Sequence, residues 1–143
     1  MQAVIVKVTG TQQGADGEIE TIELTATGSC RRQNGTTYIT YKEELTGLDG
    51  ASTLLKLYPN HICLVRLGAY QQKQEFIPGR KTYSNYVTPH GSLMLGVTTR
   101  SLAFTPIDEN DPSAGQTVAI NYELEVEGQW QSSNTLRLSF TKA

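Results

Sequence analysis

The sequence predicts an all-β fold: a single antiparallel up-and-down β-barrel of about eight to ten strands, with little helix. Three observations carry that expectation. Apolar and polar side chains alternate with period two along most of the chain, and no stretch repeats apolar residues at i, i+3, i+4 and i+7. Short turn signals separate the alternating runs, among them Asn34-Gly35, Asp49-Gly50, Pro59-Asn60, Gly68-Ala69, Pro78-Gly79 and Gly128-Gln129. Turns this short make sequence neighbours into sheet neighbours. A long meander of that kind removes its two adhesive edges by closing on itself, which favours a barrel over an open pair of packed sheets.

The strands are expected near 2–9, 17–31, 36–45, 51–58, 61–67, 70–77, 81–88, 92–104, 116–127 and 131–142. The clearest is Val118-Ala119-Ile120-Asn121-Tyr122-Glu123-Leu124-Glu125-Val126-Glu127, whose even positions are apolar or aromatic. Such a strand is buried on one face and wet on the other. Leu136, Leu138 and Phe140 alternate with Arg137, Ser139 and Thr141 in the same way. For Leu124 and Leu136 to share a face, the hairpin joining their strands needs an odd loop or a bulge. A five-residue loop would set Glu125 opposite Arg137.

Length and composition bound the class. The chain has 143 residues, a mass of 15.7 kDa and a net charge of −2, with 38% hydrophobic and 18% charged residues. This is one soluble domain, 1–143, large enough to fold on its own core. The overall charge argues against a nucleic-acid binder held by a basic field, so DNA is not an expected partner, and against a polybasic membrane-surface protein. The apolar run from Ala3 to Val6 is too short for a secretory leader, and no stretch reaches the length of a membrane span. Two cysteines, Cys30 and Cys63, form no framework, and reduced thiols suit a cytoplasmic protein.

Hairpin parity reaches the interior. A two-residue turn at Asn34-Gly35 pairs Cys30 with Ile39, Gly28 with Tyr41 and Ala26 with Glu43. Tyr41 and Glu43 then face inward across from small residues that leave space. An inward carboxylate needs a partner or water. A two-residue turn at Asp49-Gly50 would set Glu43 opposite Lys56. A turn at Pro59-Asn60 would put Lys56 and Arg66 on opposite faces, so regular hairpins admit one of them to the interior. The competing reading leaves Glu43 at a barrel mouth, Lys56 snorkelling and Arg66 on the surface.

Short catalytic signatures are missing: there is no GxSxG, P-loop, GxGxxG or HExxH. His61, Cys63, His90 and Cys30 lack the paired spacing of zinc ligands. Glu123, Glu125 and Glu127 alternate with core residues and read as an outward stripe. Neither metal nor cofactor is expected, and an enzyme is less favoured than a binding protein.

One family likeness is carried by Tyr38-Ile39-Thr40-Tyr41-Lys42-Glu43-Glu44, Thr53, Lys56, Arg66, Gly68 and Ala69. It continues through Gln74-Glu75-Phe76-Ile77-Pro78-Gly79, Tyr86, Gly91 and Leu95-Gly96-Val97-Thr98-Thr99 to Ile120-Asn121-Tyr122. Across roughly 20–126 the chain resembles the small bacterial YwiB-like proteins, a domain of unknown function with a lipocalin-like, calycin-type barrel. The resemblance implies the fold and brings no activity, substrate or cofactor.

The expected function is therefore the binding of a small apolar or amphipathic ligand inside the barrel without catalysis. Its site residues would be Tyr41, Glu43, Lys56, Arg66, Gln74 and Tyr86. The alternative is a protein- or RNA-interaction module that uses its outer face or an edge, with outward aromatics such as Tyr38 as contacts.

Overall fold

Alternation on the first strand puts Val4 and Val6 in the core and leaves Ala3, Ile5 and Lys7 exposed. The same pattern, repeated ten times, builds the whole molecule. A computed structural model describes residues 2–43, 51–111 and 114–143, without the side chain of Glu43. Its strands are β1 (Gln2–Gly14), β2 (Ile19–Gln33), β3 (Thr36–Glu43), β4 (Ala51–Leu57) and β5 (Ile62–Leu67). They continue with β6 (Gln72–Phe76), β7 (Lys81–Thr88), β8 (Gly91–Pro106), β9 (Gly115–Val126) and β10 (Gln129–Lys142). All pair antiparallel in one sheet of order β6-β5-β4-β3-β2-β1-β10-β9-β8-β7. No helix among the described residues is long and apolar enough to cross a membrane.

The first and last strands pair along their length, from Val4↔Lys142 to Gly14↔Ser132, so the chain ends zip the meander shut. The remaining gap lies between β6 and β7. Among the described residues the backbones there meet only at the Gln71↔Val87 bridge, with N–H···O distances of 2.9 and 2.8 Å. The result is an all-antiparallel, nearly closed barrel.

Much of the barrel interior is filled by buried side chains. Ile39, Leu55, Ile62, Val118 and Ile120 are at most 2% exposed, and Phe76 packs edge-on against Tyr122 at 5.3 Å between ring centroids. Each such side chain stabilises the fold by about 1.5–3 kcal/mol through burial.

The Asn34-Gly35 turn has positive φ at both residues (52° and 78°) and sets Cys30 opposite Ile39 and Gly28 opposite Tyr41, as expected. Gly28, however, does not open space. A Cβ there would overlap the Thr40 carbonyl oxygen, so glycine lets the two backbones approach closely.

Two registers differ from the sequence expectation. Glu43 pairs with Ala51, and Lys56 with Tyr38 rather than with Glu43; the expected turn at Asp49-Gly50 lies outside the described residues. Arg137 lies opposite Ala119 rather than Glu125. The β9–β10 hairpin turns at Glu127-Gly128 and then inserts Gln131 as a bulge, which restores the shared face of Leu124, Leu136 and Leu138.

Glu123, Glu125 and Glu127 do point outward, but each is engaged. Glu123 accepts from Ser133 Oγ (2.8 Å) and Trp130 Nε1 (3.2 Å), and Glu127 from the Met94 amide (2.8 Å). Glu125 pairs with Lys81 over the bare backbone of Gly96. The hydrogen bond to Glu125 raises the Lys81 pKa, followed by the charge of the carboxylate. A raised amine pKa adds stability that is complete below the unfolded value near 10.5 and is lost as pH climbs through the higher folded value. In Glu125→Gln the Lys81 titration, followed by NMR of its Cε and Nζ, is expected to move down towards 10.5.

Candidate site inside the barrel

β3, β4, β5 and β6 run side by side so that Tyr41, Thr53, Arg66 and Gln72 form one cross-strand row. Tyr41 and Thr53 are buried, which identifies the row as interior. Arg66 therefore enters the barrel. Lys56 does not: it lies on the outer face between Tyr38 and Cys63. The β4–β5 ladder runs from Leu57↔Ile62 to Ser52↔Leu67, so the two cations have opposite parity, as the Pro59-Asn60 turn demands.

A cavity of about 360 Å³ opens beside this row. Val8, Leu24, Leu55, Leu64, Leu136 and Leu138 form its walls, and Tyr41, Arg66 and Tyr86 supply its polar side. Gly10 lines it too, in place of the small residues Ala26 and Gly28 that the sequence suggested. Ile22 marks the mouth and is 58% exposed. Tyr86 stacks on Tyr70 at 6.2 Å. Burial pushes the Tyr122 phenol up, and the positive charge of Arg66 pulls the other way.

Next to the cavity, hydrogen bonds cross the β6–β7 gap in one direction. Arg66 Nη1 donates to Gln72 Oε1 (3.3 Å), and Gln72 Nε2 donates to Ser84 Oγ (3.1 Å). Ser84 Oγ donates to Gln74 Oε1 (2.6 Å), and Gln74 Nε2 to Thr82 Oγ1 (2.9 Å). Thr82 Oγ1 ends the chain on the Glu75 carbonyl at 2.6 Å. Side chains here do what the missing backbone ladder would do. Gln74 and Ser84 are 2% and 5% exposed, so these bonds form away from water, where leaving them unmade is costly.

Of the expected site residues, Tyr41, Arg66 and Tyr86 meet at the cavity, and Gln74 belongs to the adjoining seam. Lys56 is outside, and the side chain of Glu43 lies outside the described residues. Sequence reading missed Gln72, Thr82 and Ser84. The signal was present: β6 and β7 carry polar residues at every inward position except Phe76 and Tyr86.

The cysteines and histidines do not converge. Cys30 faces Ile39 inside, Cys63 faces Lys56 outside, His61 stacks on Tyr58 at 4.3 Å, and His90 is exposed in a turn. Burial pushes both thiols up, with Lys56 and Lys73 pulling Cys63 partly back.

The comparisons with known proteins agree with this architecture. The chain is 26% identical over 125 residues to the uncharacterized β-barrel protein YwiB of Bacillus subtilis (strain 168), covering 87% of this chain and 84% of that one. The crystal structure of the ywiB protein from Bacillus subtilis superposes with a TM-score of 0.85 at 23% identity, over 99% of this chain and 92% of that one, which establishes a shared fold. The model of a domain of unknown function, DUF1934, matches residues 6–138, and the chain belongs to that family.

Proposed function

We propose that the barrel binds a small amphipathic molecule in the cavity beside Arg66, without catalysing a reaction on it, in the manner of a lipocalin-like carrier. The observation that carries this reading is the make-up of the cavity. Seven aliphatic side chains, Ile22 at the mouth included, surround one cation and two phenols, in a volume at the lower end of small-ligand sites. An apolar body would lie against Val8, Leu24 and Leu136, with its polar end turned to Tyr41, Arg66 and Tyr86. The outer wall carries Lys7, Arg31, Lys56, Glu123 and Glu125, the reverse of the apolar band of a membrane barrel, and reduced, buried thiols fit a cytoplasmic setting.

Gly10 supplies the test. A Cβ added there meets only Leu136 Cδ1, at 3.8 Å, so a larger side chain would extend into the cavity. Calorimetric titration with decanoate and with decanol is expected to show binding with a negative heat-capacity change. In Gly10→Leu the affinity should fall at least roughly tenfold while the melting temperature holds or rises, since the leucine fills the space the ligand used. Unchanged affinity in the variant, or no binding of either probe to the parent, would sink the proposal.

A further inference from the structure

The net charge of −2 conceals a segregation of charge that only the fold reveals. On the outer face of β2–β6, the row Arg31↔Tyr38↔Lys56↔Cys63↔Glu75 runs straight across five strands. The neighbouring row is Ser29↔Thr40↔Leu54↔Val65↔Lys73, and Lys42 lies one step further along β3. Four cations thus share the part of this face around these two rows, where Glu75 is the only described carboxylate; Glu23 lies further along β2, beyond Thr25 and Thr27. Among the described residues none of the four has an ion-pair partner, whereas Lys81 and Arg100 on the opposite wall are paired with Glu125 and Glu123. The Arg31 guanidinium sits 4.9 Å above the ring of Tyr38, at the β2–β3 side of the patch.

We infer that this face binds the sugar-phosphate backbone of single-stranded RNA. It is independent of the cavity, which opens on the other side of the same strands. Five strands span about 19 Å, enough for a few nucleotides laid across them. Lysines, which are depleted at protein–protein interfaces, dominate the patch, so its chemistry suits phosphate better than a folded partner. The described part of this face is a strand surface without a helix to enter a duplex groove, while Tyr38 with its arginine offers a base a stacking surface. Ser29 and Thr40 place hydroxyls between the cations, in reach of a ribose 2′-OH.

The test is fluorescence anisotropy with labelled oligouridylate at increasing salt. Four phosphate contacts predict a slope of about −3 in log K against log salt, so a fourfold rise in salt weakens binding roughly fifty-fold. Lys56→Gln/Lys73→Gln is expected to bring the slope to about −1.5. Arg137→Gln/Lys142→Gln on β10, the same change of net charge elsewhere, should leave it alone. No binding at low salt, or equal effects of the two double variants, would overturn the inference. Equal binding of an RNA duplex or of oligothymidylate would overturn the single-strand or the ribose assignment. Polyglutamate competing as well as oligouridylate would mark the face as a dock for acidic polypeptides instead.

Discussion

Gly115→Ala is expected to remove a large share of the stability of the protein. Gly115 opens β9 opposite Thr141, is buried, and has φ of +128°, a backbone setting that side chains with a Cβ rarely adopt. A Cβ there would run into the carbonyl of Phe140. That carbonyl cannot retreat easily, because Phe140 is 2% exposed and locked into the core beside Val6, its partner on β1. Backbone strain and overlap act together, and no flexible side chain is available to give way. The expected loss is on the order of 4 kcal/mol, at the exceptional end for one substitution. Against a typical total of about 5–15 kcal/mol this is between roughly a quarter and four-fifths of the stability. Urea denaturation checks it: an unfolding free energy within about 0.5 kcal/mol of the parent would show that the β9–β10 pairing is softer than its geometry implies.

The position of Gly115 illustrates what period-two patterning reveals and what it omits. All ten strands were legible, because a side chain that alternates between core and water leaves the same mark whatever its neighbours are. Registers were legible only where a turn announces its own geometry. Asn34-Gly35 does so, and the β2–β3 pairing follows. Asp49-Gly50 looks equally suited to a tight turn, yet the β3–β4 ladder starts at Glu43↔Ala51. Turn chemistry states what a dipeptide tolerates; the ladder on either side decides where the turn falls. β1 extends to Gly14, past the expected end near residue 9, because Ser132–Thr135 on one side and Ile19–Ile22 on the other pair with it. Tertiary pairing there outweighs local propensity.

The interior followed the same division. Parity on β4 and β5 required that one of Lys56 and Arg66 enter, and Arg66 does. Tyr41, Gln74 and Tyr86 were reachable from alternation together with the family likeness. The place of the cavity was not. Reading Gly28 as space-making confused two uses of glycine, since there the missing side chain admits a backbone, while Gly10 borders the empty volume. Only distances between strands far apart in sequence separate those cases.

The seam yields the other large effect. Gln74→Met keeps the length of the side chain and removes its hydrogen bonds, which isolates their contribution from packing. Ser84 Oγ then has no acceptor in a place shut off from water, while Thr82 still donates to the Glu75 carbonyl. The expected cost is about 2–3 kcal/mol, the penalty for a buried polar group left unmet together with the lost amide bonds. Ser84→Ala alone should cost about 1–2 kcal/mol by the same reasoning. The double variant removes both ends of the Gln74–Ser84 bond at once, so its cost should fall short of the sum by about 1 kcal/mol. Hydrogen exchange locates the damage: the amides of Gln71 and Val87, which hold the single backbone bridge across the gap, should lose protection before those of β1 and β10. Strict additivity, or uniform loss of protection around the barrel, would mean that the backbone bridge and the core close the barrel unaided. With coupling and local exchange together, the β6–β7 gap is the weakest line of the wall, held by side chains where every other pair of neighbouring strands is held by its backbone.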